Sequence, residues 1–449
     1  MKILQTLIWM LFLNASLFAQ SEISARLFEI ADAPSPQRIE NDIRKLVSFG
    51  TRHTLSDTLS DNQGIGAARR WIKSEFEKIS SECDDCLDVQ FQRNLVKNDQ
   101  RRIIKDTWVV NVLAIQKGTK FPNRFVIMSG DIDSRVSDAN DFTSKSPGAN
   151  DNASGMAGTI EAARVLSKYK FPVSIIYVGL SGEEQGLYGG QHMAKVAKEA
   201  GWDIIGVINN DMIGNIHGID GVIDNSTFRV FSEAISMDMT DRQKNAMRYY
   251  GGEVDGPSRQ LARYIDQLTD DYMTNLDAIM IYRLDRFGRG GHHKPFNDAG
   301  FTGVRIMETH ENYNRQHQDI REENGIAYGD VIEGVDFNYA AKLTAVNALT
   351  LSALASAPQA PQNVMIGGAV KPSTTLQWDA VDDADLSGYK IYWRDTTAPQ
   401  WQKSIFIGKQ TKWTLKNIVI DNYFFGVASV SNNGAESMVQ FPQKLIPSK

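Results

Sequence analysis

The stretch Val173-Ser-Ile-Ile-Tyr-Val-Gly-Leu-Ser-Gly-Glu183-Glu184-Gln-Gly-Leu187 decides the fold. Its apolar run, Val173 to Val178, is too short to cross a membrane and reads as a buried strand. A helix is expected directly after it, over about 186–200. Working outward, the same alternation repeats. Phe125 to Met128 is a strand, and Met156, Ile160, Ala163 and Leu166 mark one stripe of a helix. Downstream come a strand at Ile204 to Ile208, a helix over about 258–272, strands at Ile279 to Tyr282 and Gly303 to Ile306, and a last helix over about 331–355. Upstream, helical spacing covers 37–48 and 64–80, followed by alternating runs around Val89 and Val112. Strands alternating with helices of this length imply an α/β fold: a mostly parallel, mixed central sheet with helices on both faces.

At Ser356-Ala-Pro-Gln-Ala-Pro-Gln362 the composition changes to a Pro-rich linker. Beyond it, short alternating runs such as Thr375–Trp378, Tyr389–Trp393 and Tyr423–Val427 lie between turn residues, the pattern of a small all-β sandwich. The expected division is therefore 1–19 as a signal peptide, 20–356 as the main domain, 357–363 as linker and 364–449 as sandwich. The signal peptide rests on Met1-Lys2 followed by the apolar run Ile3 to Ala19, and implies a secreted or periplasmic protein. No later segment is long and apolar enough to span a bilayer. The segment 215–290, mixed and polar, is expected to form a substrate lid or pocket wall.

The 449 residues carry a net charge of only −6 and no basic block interleaved with aromatics, which excludes nucleic acid as a partner. The two cysteines, Cys83 and Cys86, suit a local disulfide in an oxidising compartment; Asp84 and Asp85 between them argue against an activated thiol.

Open α/β sheets place their sites beyond the carboxyl ends of the strands, and four acidic clusters fall there. They are Ser129-Gly-Asp131-Ile-Asp133, Gly148-Ala-Asn-Asp151-Asn-Ala-Ser-Gly155, Ser181-Gly-Glu183-Glu184 and Asn209-Asn-Asp211-Met-Ile-Gly214. Each alone could be a helix cap or a solvated turn; their joint placement points to a metal centre. Adjacent Glu183 and Glu184 repel each other unless a cation neutralises them, so that one can ligate metal while the other acts as general base. Of the seven histidines, His292-His293, flanked by Gly290-Gly291 before a strand, have the functional context. His192 reads as a surface residue, and His53, His217, His310 and His317 lie in polar stretches and are not read as ligands.

Together these motifs, with Gly-His-His-Lys-Pro-Phe296, resemble the secreted two-zinc aminopeptidase family, which also includes glutamate carboxypeptidase and, more distantly, the glutaminyl cyclases. The likeness covers about 37–356. It implies an exported aminopeptidase acting on peptides with a free N-terminus, with two zinc ions. Asp151 would bridge the metals, Glu184 and His293 would complete one site, and Asp211 would belong to the other. Glu183 would be the general base, and Asp133, beside it in the implied site, is the second catalytic candidate. One departure stands out. The family has His-X-Asp after the first strand, whereas this chain has Asp131-Ile-Asp133. A site of Asp131, Asp151 and Asp211 would be all oxygen, and is expected to be weak, empty or open to Mn²⁺ or Mg²⁺. Three alternatives stay open: His292 supplies the missing nitrogen, the enzyme is a single-zinc glutaminyl-cyclase-like protein, or the altered site belongs to a non-catalytic binder. The C-terminal sandwich resembles a fibronectin type III domain; a spacer role or a surface or protein partner is expected of it.

Overall fold

The computed structural model describes residues 23–447; the segment 1–19, read as a signal peptide, lies outside them. After helices over residues 23–31 (α1), Pro36–Val47 (α2) and Gly64–Ser81 (α3), the chain enters an eight-stranded sheet. Its strands are Leu87–Val96 (β1), Thr107–Gln116 (β2), Phe121–Asp131 (β3), Val173–Leu180 (β4), Asp203–Asn210 (β5), Thr227–Ser232 (β6), Asp277–Ile281 (β7) and Gly303–Glu308 (β8), in the order β1-β2-β4-β3-β5-β8-β6-β7. The central strands β4, β3, β5 and β8 run parallel, while β1, β2 and β6 pair antiparallel, so the sheet is mixed as expected.

Alternation along the strands divides two cores. Val126, Met128, Ile175 and Tyr177 face one side, with Gly155–Leu166 (α4) and Phe337–Ser356 (α9); Ile127, Ile176 and Val178 face the other, with Met193 of Tyr188–Glu199 (α5) and Phe296 of His293–Asp298 (α8). The remaining helices are Asp241–Tyr250 (α6) and Pro257–Tyr272 (α7). Helix α9 starts later than its periodicity suggests because the Asp336 carboxylate accepts the Tyr339 N–H at 2.8 Å and caps it there. The segment 215–290 is more than a lid. It supplies β6 and β7, which close one edge of the sheet, as well as pocket-lining Arg286 and Arg289.

The C-terminal part is a sandwich of a four-stranded and a three-stranded sheet around Leu376, Trp378, Tyr389, Ile391 and Phe425. Cys83 and Cys86 are joined in a disulfide, as their spacing suggested. No helix among the described residues is long and apolar enough to cross a membrane.

Candidate metal and catalytic site

The parallel strands deliver the acidic clusters to one edge. Asp131 ends β3, Glu183 and Glu184 follow β4, and Asp211 follows β5. Two glycines let these ends converge: a Cβ on Gly130 would lie 2.5 Å from the Gly155 backbone, and one on Gly155 would lie 2.3 Å from the Asn210 carbonyl. The Asn152 side chain ties the same three segments together. Its amide donates to Asp131 Oδ2 and Asn210 O, both at 2.7 Å, and its oxygen accepts from Gly155 N at 3.0 Å. Asp151 sits in the distorted turn Ala149–Ser154, whose Asn150 and Asp151 N–H groups donate to the Asp330 carboxylate at 2.8 and 2.7 Å.

Three side chains then meet. His317 Nε2 lies 2.9 Å from Asp151 Oδ2 and 3.1 Å from Glu184 Oε1. Their donor atoms all fall within 4.8 Å of one another. Two carboxylates and an imidazole form a donor set that fits a zinc ion with an open fourth position. Burial alone would lower the His317 imidazole, but Glu184 and Asp151 outweigh it and hold it up to about 9. Without a cation the pair of carboxylates recruits a proton to the imidazole. Arg135 braces the group from outside, donating from Nε to Glu184 Oε2 at 2.8 Å, with Nη2 2.6 Å from His317 Nδ1.

Glu183 lies half-buried beside this triad in the wall of a cavity of about 540 Å³. Burial, then the charges of Glu184 and Asp211, push its carboxyl well above the usual range. Asp133 is not one of the three converging side chains. Its carboxylate accepts the backbone N–H groups of Glu183 and Glu184 at 3.2 and 3.0 Å, and so fixes where the two glutamates point.

The remaining residues read from the sequence stand elsewhere. His293, expected beside Asp151 and Glu184, is not brought to them. It opens helix α8, where its Nε2 is held by the Leu284 carbonyl at 2.8 Å and both ring faces are buried. His317 occupies the place expected of it. Asp131 meets His292 Nδ1 at 2.5 Å, and Asp211 pairs with Arg305 Nη2 at 2.8 Å. Sequence reasoning missed His317, Arg135 and Arg305. Only for His317 was there a signal: it follows β8, whose carboxyl end opens on the same edge as the acidic clusters.

The model of Peptidase family M28 matches residues 111–226. A probable zinc metalloprotease of Leptosphaeria maculans is 41% identical over 94% of this chain and 97% of its own length, and one of Pyrenophora teres f. teres is 40% identical over 93% and 86%. Among solved structures, the LapA aminopeptidase of Legionella pneumophila superposes with a TM-score of 0.52 at 21% identity, covering 76% of this chain and 75% of that one. An aminopeptidase from Aneurinibacillus sp. strain AM-1 superposes at 0.50 and 13% identity, covering 74% and 96%. These last two likenesses bear on the fold.

Proposed function

The chain belongs to Peptidase family M28, and on that premise we propose that it is a zinc-dependent exopeptidase that removes residues from the amino end of peptides. The observation that carries the reading is the convergence of Asp151, Glu184 and His317 with Glu183 alongside, open to a cavity of peptide-residue size. A zinc ion held by those three side chains supplies Lewis acidity and brings the proton loss of water towards neutral pH. Glu183 takes the proton of the attacking water on its carboxylate and passes it to the leaving nitrogen. A carboxyl raised by burial and by the charges of Glu184 and Asp211 holds a proton more tightly than a free glutamate, as a group that accepts and then passes on a proton must. Asp133 keeps Glu183 and Glu184 in register by holding both backbone N–H groups, which leaves the two side chains free for separate tasks. The zinc metalloprotease names of the fungal relatives support the metal, and the aminopeptidase titles of the two solved structures support the amino end.

The test is hydrolysis of aminoacyl anilides. Glu183→Gln should lower kcat by about 10²–10⁴-fold with zinc content unchanged; retention of full activity would sink the mechanism. Equal cleavage of N-acetylated substrates would remove the amino-end specificity. Release of ammonia from an N-terminal glutaminyl peptide, with no anilide cleavage, would favour a cyclase instead. We propose export as well, on the apolar run Ile3 to Ala19; a cytoplasmic chain that keeps those residues would refute it.

A further inference from the structure

Resting on the reading that Asp151, Glu184 and His317 hold the metal, we propose that this is a one-metal centre in which the Arg305 guanidinium stands where a second ion would be. Four observations converge. Asp211, the expected anchor of a second metal, is buried against Arg305, with Oδ2 2.8 Å from Nη2 and the Asp211 carbonyl accepting from the same nitrogen at 3.3 Å. Arg305 is wholly buried and cannot swing out to solvent, because Asp285 fixes its other arm with carboxylate contacts of 3.1 and 3.0 Å.

The second expected ligand is spent too. Asp131 gives one oxygen to His292 and the other to the Asn152 amide, at 2.5 and 2.7 Å. It also stands where a histidine would have offered a neutral nitrogen. Lastly, the donor atoms do not converge: among the described residues, Asp131, Asp151 and Asp211 form no group able to hold an ion, whereas Asp151, Glu184 and His317 do. Asp211 Oδ1 and His292 Nε2 both remain buried without a hydrogen-bond partner, but among the described residues neither joins a group of three side chains able to hold an ion.

The physical reason is charge. A dication beside Asp211 would meet a guanidinium that already neutralises that carboxylate and is locked in place by Asp285. The histidine-to-aspartate exchange at 131, the His292 partner and the buried Arg305 then form one consistent set. The fixed cation holds Asp211 in position without metal, and restricts ion binding to the side of His317. Arg305 acts here as a positioning residue: it reaches the reacting region through Asp211.

Metal stoichiometry decides the matter independently of activity. The full chain, dialysed against metal-free buffer and measured by elemental analysis, should retain one zinc, and zinc titration of chelator-stripped protein should give a single calorimetric step. Two ions retained per chain would overturn the proposal. The double variant Asp131→His with Arg305→Met should gain a second step; if it folds by circular dichroism and still shows one, Arg305 is not what fills the site. Should the double variant fail to fold, the wild-type stoichiometry still decides. One retained zinc without any peptide hydrolysis would defeat the peptidase reading and leave this one standing. Two zincs with full hydrolysis would do the reverse.

Discussion

His317 and His293 differ in what their rings reach. The first presents Nε2 to two carboxylates at 2.9 and 3.1 Å; the second spends its Nε2 on the Leu284 carbonyl. His317→Ala should therefore weaken zinc binding beyond the roughly 10–100-fold that loss of an outer partner costs. His293→Ala should keep its zinc, even if the buried cavity lowers Tm. Competition with a chromogenic chelator measures both, and equal losses would show that His293 also acts at the metal. Glu183 and Glu184 were legible because they follow an apolar strand directly, so that strand direction places them, and Asp151 because it sits in a glycine-flanked cluster at the start of α4. His317 was harder to read: its one signal, a place beyond the end of β8, is weakened by the polar loop that carries it, and its left-handed backbone (φ 53°) has no local pattern to announce it.

Elements meet across a buried charge triad that no sequence pattern reveals. Asp255, just before α7, accepts from Arg263 of that helix at 2.7 Å and from Arg394 of the sandwich strand Leu386–Asp395 at 2.8 Å. All three side chains are at most 2% exposed. Removing one member of such a group leaves the others buried and unmatched. Asp255→Asn should accordingly cost about 3–5 kcal/mol of stability, seen as a lower midpoint in urea. A change below about 1 kcal/mol would mean that water reaches the triad. The contact also explains why the Pro-rich linker need not set the sandwich's position: Tyr264 donates to the Glu436 carbonyl at 2.9 Å, and Gln400 bonds Asp266, so side chains hold the two parts together.

Over the whole molecule this same junction gives stability a pH dependence. Burial, offset by the Gln400 amide and reinforced by Asp270 and Asp277, raises the Asp266 carboxyl from 3.8 to about 6. The folded protein thus binds this proton more tightly than the unfolded chain. The contribution is fully present below about pH 4 and is lost as pH rises through 6. Asp266→Asn, which still accepts from Gln400, should be more stable than the wild type by about 2 kcal/mol at pH 8, after allowance for solvent screening, and equal to it at pH 4. A difference that does not vary with pH would rule this out. The sequence by itself determined the α/β layering, the change to a sandwich near 357–363, the Cys83–Cys86 bridge and the acidic residues at the strand ends, because hydrophobic period, turn residues and spacing are local properties. Only the tertiary structure decided which histidine joins Asp151 and Glu184, and that Arg305 claims Asp211. Those choices depend on distances between residues 94 to 166 positions apart in the chain, set by how the sheet packs rather than by any neighbouring pattern.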